Sequence, residues 1–408
     1  MPSRTNPIVY TLLLCGLSAL PPLSIDMNLP ALPDMEASLG VAAGSGALTL
    51  SVFLLGFALA PIMGGPLADR FGRRSTVLVA LAGTILGAAG SAASPTFWCL
   101  LLSRSVQGAA CGVCITVPLA IVRDRFDGAQ ARQQLARIMA IVGLAPLLAP
   151  VIGGSVQEMF GWRAISGVQG LFGAFLMLLV LTGFSETLAP DKRLSLNPRK
   201  LLGVYARVLG NRTFVGFAFT HSFLFGCLFA FISGSPGLLM NQMGLSEIGF
   251  SLVFALISAG VLAGSFASGR LGRRNASPET IVPFCLSVML AVSLGVLALA
   301  ITEAMSPITI TPLLFLLTFH FGLVAPNTMN SAVEVLPGIA GTASGTLNSL
   351  QMLMGATGSA TVTLLSASHD PGRAMALTMA GSVILSVTAY LLIVRTRRRA
   401  GRAGPAAI

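Results

Sequence analysis

The sequence predicts an all-α membrane protein whose twelve transmembrane helices form two pseudo-symmetric six-helix halves. Three observations carry this. Hydrophobic residues make up 54% of the 408 and charged ones only 10%, against roughly a quarter charged in soluble domains, so most of the surface has to face lipid. Twelve apolar runs of the ~20 residues needed to cross a bilayer follow one another along the chain. A basic turn also recurs: Gly64, Arg70, Gly72, Arg73 and Arg74 return, 200 positions later, as Gly264, Arg270, Gly272, Arg273 and Arg274, whereas Asp69 is replaced by Gly269.

In order, the runs lie at 8–29, 45–68, 75–94, 97–122, 135–157 and 162–184, then at 213–236, 247–269, 280–301, 307–330, 341–366 and 373–394. The eleventh is rich in Gly, Ser and Thr and is the least sharply bounded. Residues 1–184 form the first half, 185–212 a polar linker with Pro190 and Pro198, and 213–408 the second half with a basic tail. Within the linker, Leu201–Val208 suits either a short amphipathic helix on the membrane surface or a plain tether. Before the first run only Arg4 is charged, and no small-residue cleavage site follows it, so the run is read as a retained helix rather than a signal peptide.

Orientation follows from Lys and Arg placement. Alternate loops hold Arg70, Arg73 and Arg74; Arg123, Arg125 and Arg132; Lys192, Arg193, Arg199, Lys200, Arg207 and Arg212; and Arg270, Arg273 and Arg274. The tail adds Arg395, Arg397, Arg398, Arg399 and Arg402, while the opposite loops carry only Arg163 and Arg373 beside acids such as Asp34, Glu36 and Glu303. Both termini are therefore expected in the cytoplasm. The same placement excludes nucleic acid as the reason for the net charge of +11, because the basic residues sit in short loops between apolar runs.

The six cysteines lie in or beside apolar runs, so a disulfide framework is not expected. Cys111 and Cys114 form a CxxC without further ligands nearby and read as small packing residues. No GxxxxGK[ST] signature supports nucleotide-driven work, and neither cofactor nor metal is expected.

A few polar residues interrupt the apolar runs. Asp26, in Ser24-Ile25-Asp26-Met27-Asn28-Leu29-Pro30, costs about 2.5–3.5 kcal/mol near mid-bilayer. It reads as a protonation site facing a cavity or, more plainly, as an acid at the outer helix end that caps a neighbour. Arg104 is the one basic residue inside the fourth run and should face the interior with an acid or helix carbonyls as partners, Asp26 being the nearest candidate acid. Gln107 shares its face. In the fifth run, Pro146, Pro150, Gly153 and Gly154 predict a bent helix that packs closely, either an ordinary kink or a guard at one mouth of a cavity. The second half has no obvious intramembrane acid. It offers His221, His320, Asn327, Asn348 and Gln351 as cavity or satisfied interior groups, on and near a Phe-rich seventh run.

Taken together, these stretches resemble a known family. Gly65-Pro66-Leu67-Ala68-Asp69-Arg70-Phe71-Gly72-Arg73-Arg74 is similar to the loop between helices two and three of the major facilitator superfamily. Arg104 with Gln107-Gly108 resembles its fourth-helix motif, and Ala149-Pro150-Val151-Ile152-Gly153-Gly154 the fifth-helix motif of drug/proton antiporters, with Ala149 where Gly is usual. The stretch Ser24 to Pro33 resembles the bicyclomycin/chloramphenicol-resistance (Bcr/CflA) branch, with Asn28 where Tyr is frequent.

The resemblance implies the major facilitator fold, Asp26 as the proton-coupling carboxylate and Arg104 as its modulating partner. Gly65, Asp69, Arg70, Gly72, Arg73 and Arg74 would form a gating loop. In it Asp69 faces the start of the eleventh helix near Gly341, and Arg73 reaches Asp124. Asn28 and Gln107 would border the substrate cavity.

These readings together lead to an expected function, a proton-coupled multidrug efflux transporter working by alternating access. It would handle small apolar or amphipathic molecules, take its energy from the proton gradient alone, and act as a monomer in a bacterial inner membrane. The alternative is an exporter of a native metabolite such as an amino acid, small peptide or sugar. More distant are a membrane receptor and an intramembrane enzyme, for which paired acids, a Ser/His pair or metal ligands are missing.

Overall fold

The computed structural model describes residues 7–188 and 198–395; linker positions 189–197 and the basic tail beyond 395 lie outside them. Every regular element among the described residues is helical. In a hydrocarbon solvent a continuous helix satisfies its own backbone donors and acceptors, which a lone strand cannot do.

The chain runs through α1 (Pro7–Asp26), α2 (Leu32–Leu39), α3 (Ala47–Phe71), α4 (Arg73–Ala92), α5 (Phe97–Arg125), α6 (Gly128–Phe160) and α7 (Trp162–Gly183). It continues through α8 (Pro198–Gly210), α9 (Arg212–Pro236), α10 (Glu247–Arg273), α11 (Pro278–Ile301), α12 (Pro307–Glu334), α13 (Ala340–Ser366) and α14 (Pro371–Ala389). Among the described residues, eleven helical segments are long and apolar enough to cross a membrane. They comprise α1 with α2, α3 to α7, α9 to α12, and α14. The segment α13 has 27 residues, which at 1.5 Å rise spans about 40 Å, but its Gly, Ser and Thr keep it below that apolar level. With α13 the helices make up the twelve-helix, two-halves fold. The linker contributes α8, which packs on α13.

The chain forms two compact units. Among the described residues, one comprises 7–188 and 236–255, the other 198–235 and 256–395.

In the first unit α5 lies between α3 and α4, α4 also packs on α7, and α1 packs on α5, α6 and α7. Their apolar core is built from Tyr10, Leu13, Leu17, Val77, Leu81, Val117, Ile121, Leu176 and Val180, among others. Contact between α3 and α5 is backbone to backbone: a Cβ on Gly108 would lie 2.0 Å from the Phe53 carbonyl oxygen. Such small-residue seams replace the hydrophobic drive that lipid does not provide.

In the second unit α11 packs on α12 and α14, and α13 on α12 and α14. The repeated basic turns are not equivalent. In the first copy α3 and α4 are separated by Gly72 alone, at φ 93°. In the second, α10 runs through Gly272 to Arg273 and the turn is made beyond it, with Asn275 at φ 58°.

Candidate functional site

The first unit holds a buried polar network at the end of α1, and the sequence explains why the helix stops there. Pro30 cannot donate to the carbonyl of Asp26, nor Pro33 to that of Leu29, so the α-helix ends at Asp26 and a 3-10 turn, Leu29–Ala31, follows. The last carbonyls of a helix have no partner within it, and here side chains supply partners. Ser24 O accepts from Asn28 Nδ2 at 2.9 Å and from Arg104 Nη2 at 2.8 Å. Leu23 O keeps a helical bond from Met27 N at 3.3 Å and also accepts from Gln169 Nε2 at 3.5 Å. Arg104 Nη1 donates to Gln107 Oε1 at 2.6 Å, Gln107 Nε2 donates to Gln169 Oε1 at 3.0 Å, and the guanidinium lies over the Phe53 ring at 4.6 Å. Ser24 Oγ and Thr84 Oγ1 both approach Cys111 Sγ, at 3.7 and 3.8 Å.

Asp26 sits at the edge of this network, 4% exposed, and joins no ion pair among the described residues. Of the two kinds of partner expected for Arg104, the helix carbonyl is the one it meets, and among the described residues it forms no ion pair with Asp26: it is spent on the carbonyl of Ser24 and on Gln107, and its Nε is buried without a partner. The physical reason is local. The broken helix end offers the Ser24 carbonyl oxygen to the guanidinium, and that bond with the one to Gln107 serves a buried cation without a second buried charge, leaving Nε alone unpaired. Asp26 itself stands at the negative end of the α1 dipole, where an anion has no compensation.

The Pro/Gly helix α6 closes on the same spot. A Cβ on Gly153 would lie 2.1 Å from the Met27 carbonyl oxygen, so only glycine lets α6 touch the backbone next to Asp26. Pro146 and Pro150 lie inside α6, and Ser251 Oγ donates to Pro150 O at 2.9 Å. A Cβ on Gly154 would meet that hydroxyl at 2.8 Å.

The loop between α3 and α4 is a second polar centre. Arg73 is buried and bridges two acids, with Nη1 to Asp69 Oδ1 at 2.7 Å and Nε to Asp124 Oδ2 at 2.9 Å. Arg70 is exposed beside Phe71, and a Cβ on Gly65 would meet open space. Arg74 Nη2 donates to Leu181 O at 3.3 Å.

A residue that the sequence does not single out, Glu186, organises this loop. Its Oε1 accepts backbone N–H groups of Arg73, Thr187 and Leu188 at 2.8, 3.0 and 3.0 Å, and its Oε2 that of Arg74 at 3.2 Å. A carboxylate at the start of α4 satisfies donors that have no helical partner and meets the positive end of the dipole. Gly72 makes the room: a Cβ there would lie 2.2 Å from Glu186 Oε2. Gly72→Ala therefore combines an unfavourable φ with a clash, and is expected to cost about 1–3 kcal/mol, read as a lower unfolding temperature in detergent. Adding Glu186→Ala should restore only the clash part, so the double variant should be less destabilised than the sum of the singles; simple additivity would contradict this geometry.

The two residues missed in the first unit differ in how visible they are in the sequence. Gln169 is the one amide inside the sixth apolar run and could be picked out on that ground. Nothing in the sequence ties Glu186 to a turn more than 100 positions earlier.

In the second unit the structure brings two of the five candidates together. His221 Nδ1 lies 2.9 Å from Thr328 Oγ1, and its Nε2 lies 2.9 Å from Gln351 Oε1. His320 is apart from them, with Nδ1 on Leu316 O at 2.8 Å. Asn327 Nδ2 donates to Ser268 Oγ and Leu323 O, at 3.0 and 2.8 Å. Asn348 is half-buried.

Among the described residues no cluster of His, Cys, Asp and Glu has the makings of a metal site.

Comparison with known proteins fits this architecture. The family model of the Major Facilitator Superfamily matches residues 14–359. The uncharacterized MFS-type transporter YdgK of Bacillus subtilis strain 168 is 29% identical over 356 residues, 87% of this chain and 88% of that protein. The bicyclomycin resistance protein homolog of Haemophilus influenzae is 27% identical over 401 residues, 96% and 98% of the two chains. The crystal structure of a D-xylose–proton symporter superposes with a TM-score of 0.76 at 13% identity, over 95% of this chain and 98% of the other, which bears on the fold alone. A transporter rather than an enzyme is what the family match and the twelve-helix fold describe, and the chain belongs to the Major Facilitator Superfamily.

Proposed function

We propose that the protein is a proton-coupled exporter of small apolar or amphipathic molecules, antibiotics among them, working by alternating access of two six-helix halves, 1–184 and 213–408, joined by the linker. The observation that carries this is Asp26: a carboxyl 4% exposed and, among the described residues, free of ion pairs, at a helix break that α6 touches through Gly153. An acid so placed binds or loses a proton with large energetic consequence, and no ion pair among the described residues gives it a structural role. The naming of a relative as a bicyclomycin resistance protein homolog supports the substrate class.

In this cycle, substrate enters the inward-open protein and displaces the proton of Asp26. The protein turns outward and releases the substrate, and reprotonation of Asp26 permits the return. Arg104 acts on Asp26 indirectly, by holding the carbonyl end of α1 on which the acid stands. Arg73, with Asp69 and Asp124, acts as the latch that breaks between states. No cofactor is required. One proton moving down 100 mV supplies about 2.3 kcal/mol, enough for about a 50-fold gradient of a neutral substrate. The protein works as a monomer in the bacterial inner membrane with both termini cytoplasmic.

Everted membrane vesicles with an acidified lumen test the reading. Addition of chemically unrelated apolar compounds should each release lumenal protons as the compound accumulates. A response confined to one class of amino acid, peptide or sugar would replace drug export by metabolite export, and accumulation without proton movement would remove the coupling.

A further inference from the structure

His221 lies on α9, 2% exposed, and its two ring nitrogens meet Thr328 of α12 and Gln351 of α13 at 2.9 Å each. Its other neighbour is the Phe225 ring at 5.1 Å, which in turn meets Phe321 edge-on at 5.2 Å. Among the described residues no acid or base touches the imidazole, so the buried ring is a neutral one that must donate from one nitrogen and accept at the other.

Two arrangements satisfy every group. In the first, Nε2–H donates to Gln351 Oε1 and Nδ1 accepts from the Thr328 hydroxyl. In the second, the Thr328 hydroxyl turns to a carbonyl of its own helix, Nδ1–H donates to Thr328 Oγ1, and Nε2 accepts from the Gln351 amide nitrogen. The turn is available, because Thr328 Oγ1 is 3.0 Å from Ala325 O and 3.2 Å from Val324 O. A half-turn of the Gln351 amide exchanges its oxygen and nitrogen in place. Between the two arrangements the ring loses one proton from Nε2 and gains one at Nδ1, so no net proton is bound.

The arrangements differ in what Gln351 offers elsewhere. Gln351 is only half-buried, so the amide atom not held by His221 is the one left for another molecule: NH2 in the first arrangement, the carbonyl oxygen in the second. We infer that His221, Thr328 and Gln351 form a substrate-recognition element that presents either a hydrogen-bond donor or an acceptor. It accepts neutral apolar molecules bearing a carbonyl or ether oxygen, or an N–H group. This rests on the exporter reading and supplies its polar contact in the second half. Because neither arrangement leaves a buried polar group unpaired, both kinds of ligand avoid the penalty of about 1–3 kcal/mol that an orphaned group would impose.

The test uses purified protein in lipid nanodiscs with 15N-labelled histidine. There are three histidines in the chain, and the His221 signals are identified by their loss in His221→Asn. Benzophenone, which only accepts, should hold His221 as the Nε2–H tautomer; diphenylamine, of similar shape and donating through N–H, should shift it to Nδ1–H. Thr328→Val removes the pivot and leaves Nδ1 best unprotonated. It should weaken diphenylamine binding at least tenfold while benzophenone binding changes less than twofold.

The same tautomer with both probes bound, or equal weakening of both by Thr328→Val, would overturn the inference. Failure of both probes to bind, in a protein whose vesicles still export other apolar compounds with proton release, would overturn it and leave the exporter reading standing. Failure of every compound in vesicles would remove that reading itself.

Discussion

Asp26→Asn is expected to reduce pH-driven export to the level of vesicles lacking the protein, with the protein still folded and inserted. Asparagine has nearly the shape of aspartic acid, and the acid has no ion-pair partner to lose among the described residues. Packing at the α1 break should therefore survive, and removal of a buried ionisable group should leave stability unchanged or raised. What is lost is the ability to carry and release a proton. Energetically uphill export should stop, while binding of substrate and its downhill exchange should persist.

Glu36 supplies a control on the same stretch. It too is buried, 7% exposed, but it has a structural role, since its Oε1 accepts the Gly46 N–H at 2.6 Å at the start of α3. Glu36→Gln should lower the unfolding temperature and keep proton coupling. Export at the parental level in Asp26→Asn, or loss of coupling in Glu36→Gln alone, would place the proton site elsewhere.

The second large effect is expected at Gly153. In Gly153→Leu the Cβ alone would fall 2.1 Å from the Met27 carbonyl oxygen, and the obstacle is backbone, which no rotamer can clear. The helices α1 and α6 would have to part, at a cost of about 1–3 kcal/mol for overpacking, or more. Substrate export and thermal stability should both fall sharply.

Gly154 is its neighbour and gives the contrast. A Cβ there meets the Ser251 hydroxyl at 2.8 Å, a side chain that can turn away by giving up its bond to Pro150 O, and the nearest backbone atom, Glu247 O, lies at 3.3 Å rather than 2.1 Å. Gly154→Ala should therefore be mild where Gly153→Ala is already damaging. Unfolding temperatures in detergent and vesicle transport for the two alanine variants decide it; equal losses would mean that the close contact at Met27 is not what constrains α6.

Much of this is legible in the sequence because the bilayer makes the code coarse. An apolar run of the right length has to be a helix, and alternate basic loops fix the order of crossings. The run at 341–366 shows where that code thins. Its Gly, Ser and Thr keep α13 below the apolar level of the other spans, yet it forms a helix of 27 residues, since its small residues allow close packing on its neighbours. The candidate polar residues are equally visible, because a charge or amide in hydrocarbon stands out.

What each polar residue does is not visible. Arg104 reads as needing either an acid, with Asp26 the nearest in sequence, or the carbonyls of a helix end. The tertiary structure decides for the carbonyl of Ser24, which is open because the Asn28 N–H turns to Ile25 O where α1 breaks. Asn28, placed at the cavity by resemblance, caps the same carbonyl. Glu186 reads as one more polar residue at a helix end, and only folding sets it against the start of α4, in the gap that Gly72 leaves.

By itself, then, the sequence determined the class of protein, the number and order of its helices, and which side chains are too costly in lipid to be accidental. Those properties depend on local composition and spacing, which a solvent of hydrocarbon reads directly. Arg73 meets Asp124 as the resemblance implies, and the tertiary structure alone decided the other pairings: Arg73 with Asp69, Glu186 with the turn, His221 with Thr328 and Gln351, and Asp26 with no ion-pair partner among the described residues. Hydrogen bonds reach about 3 Å, and only packing of helices distant in sequence brings their partners within that distance.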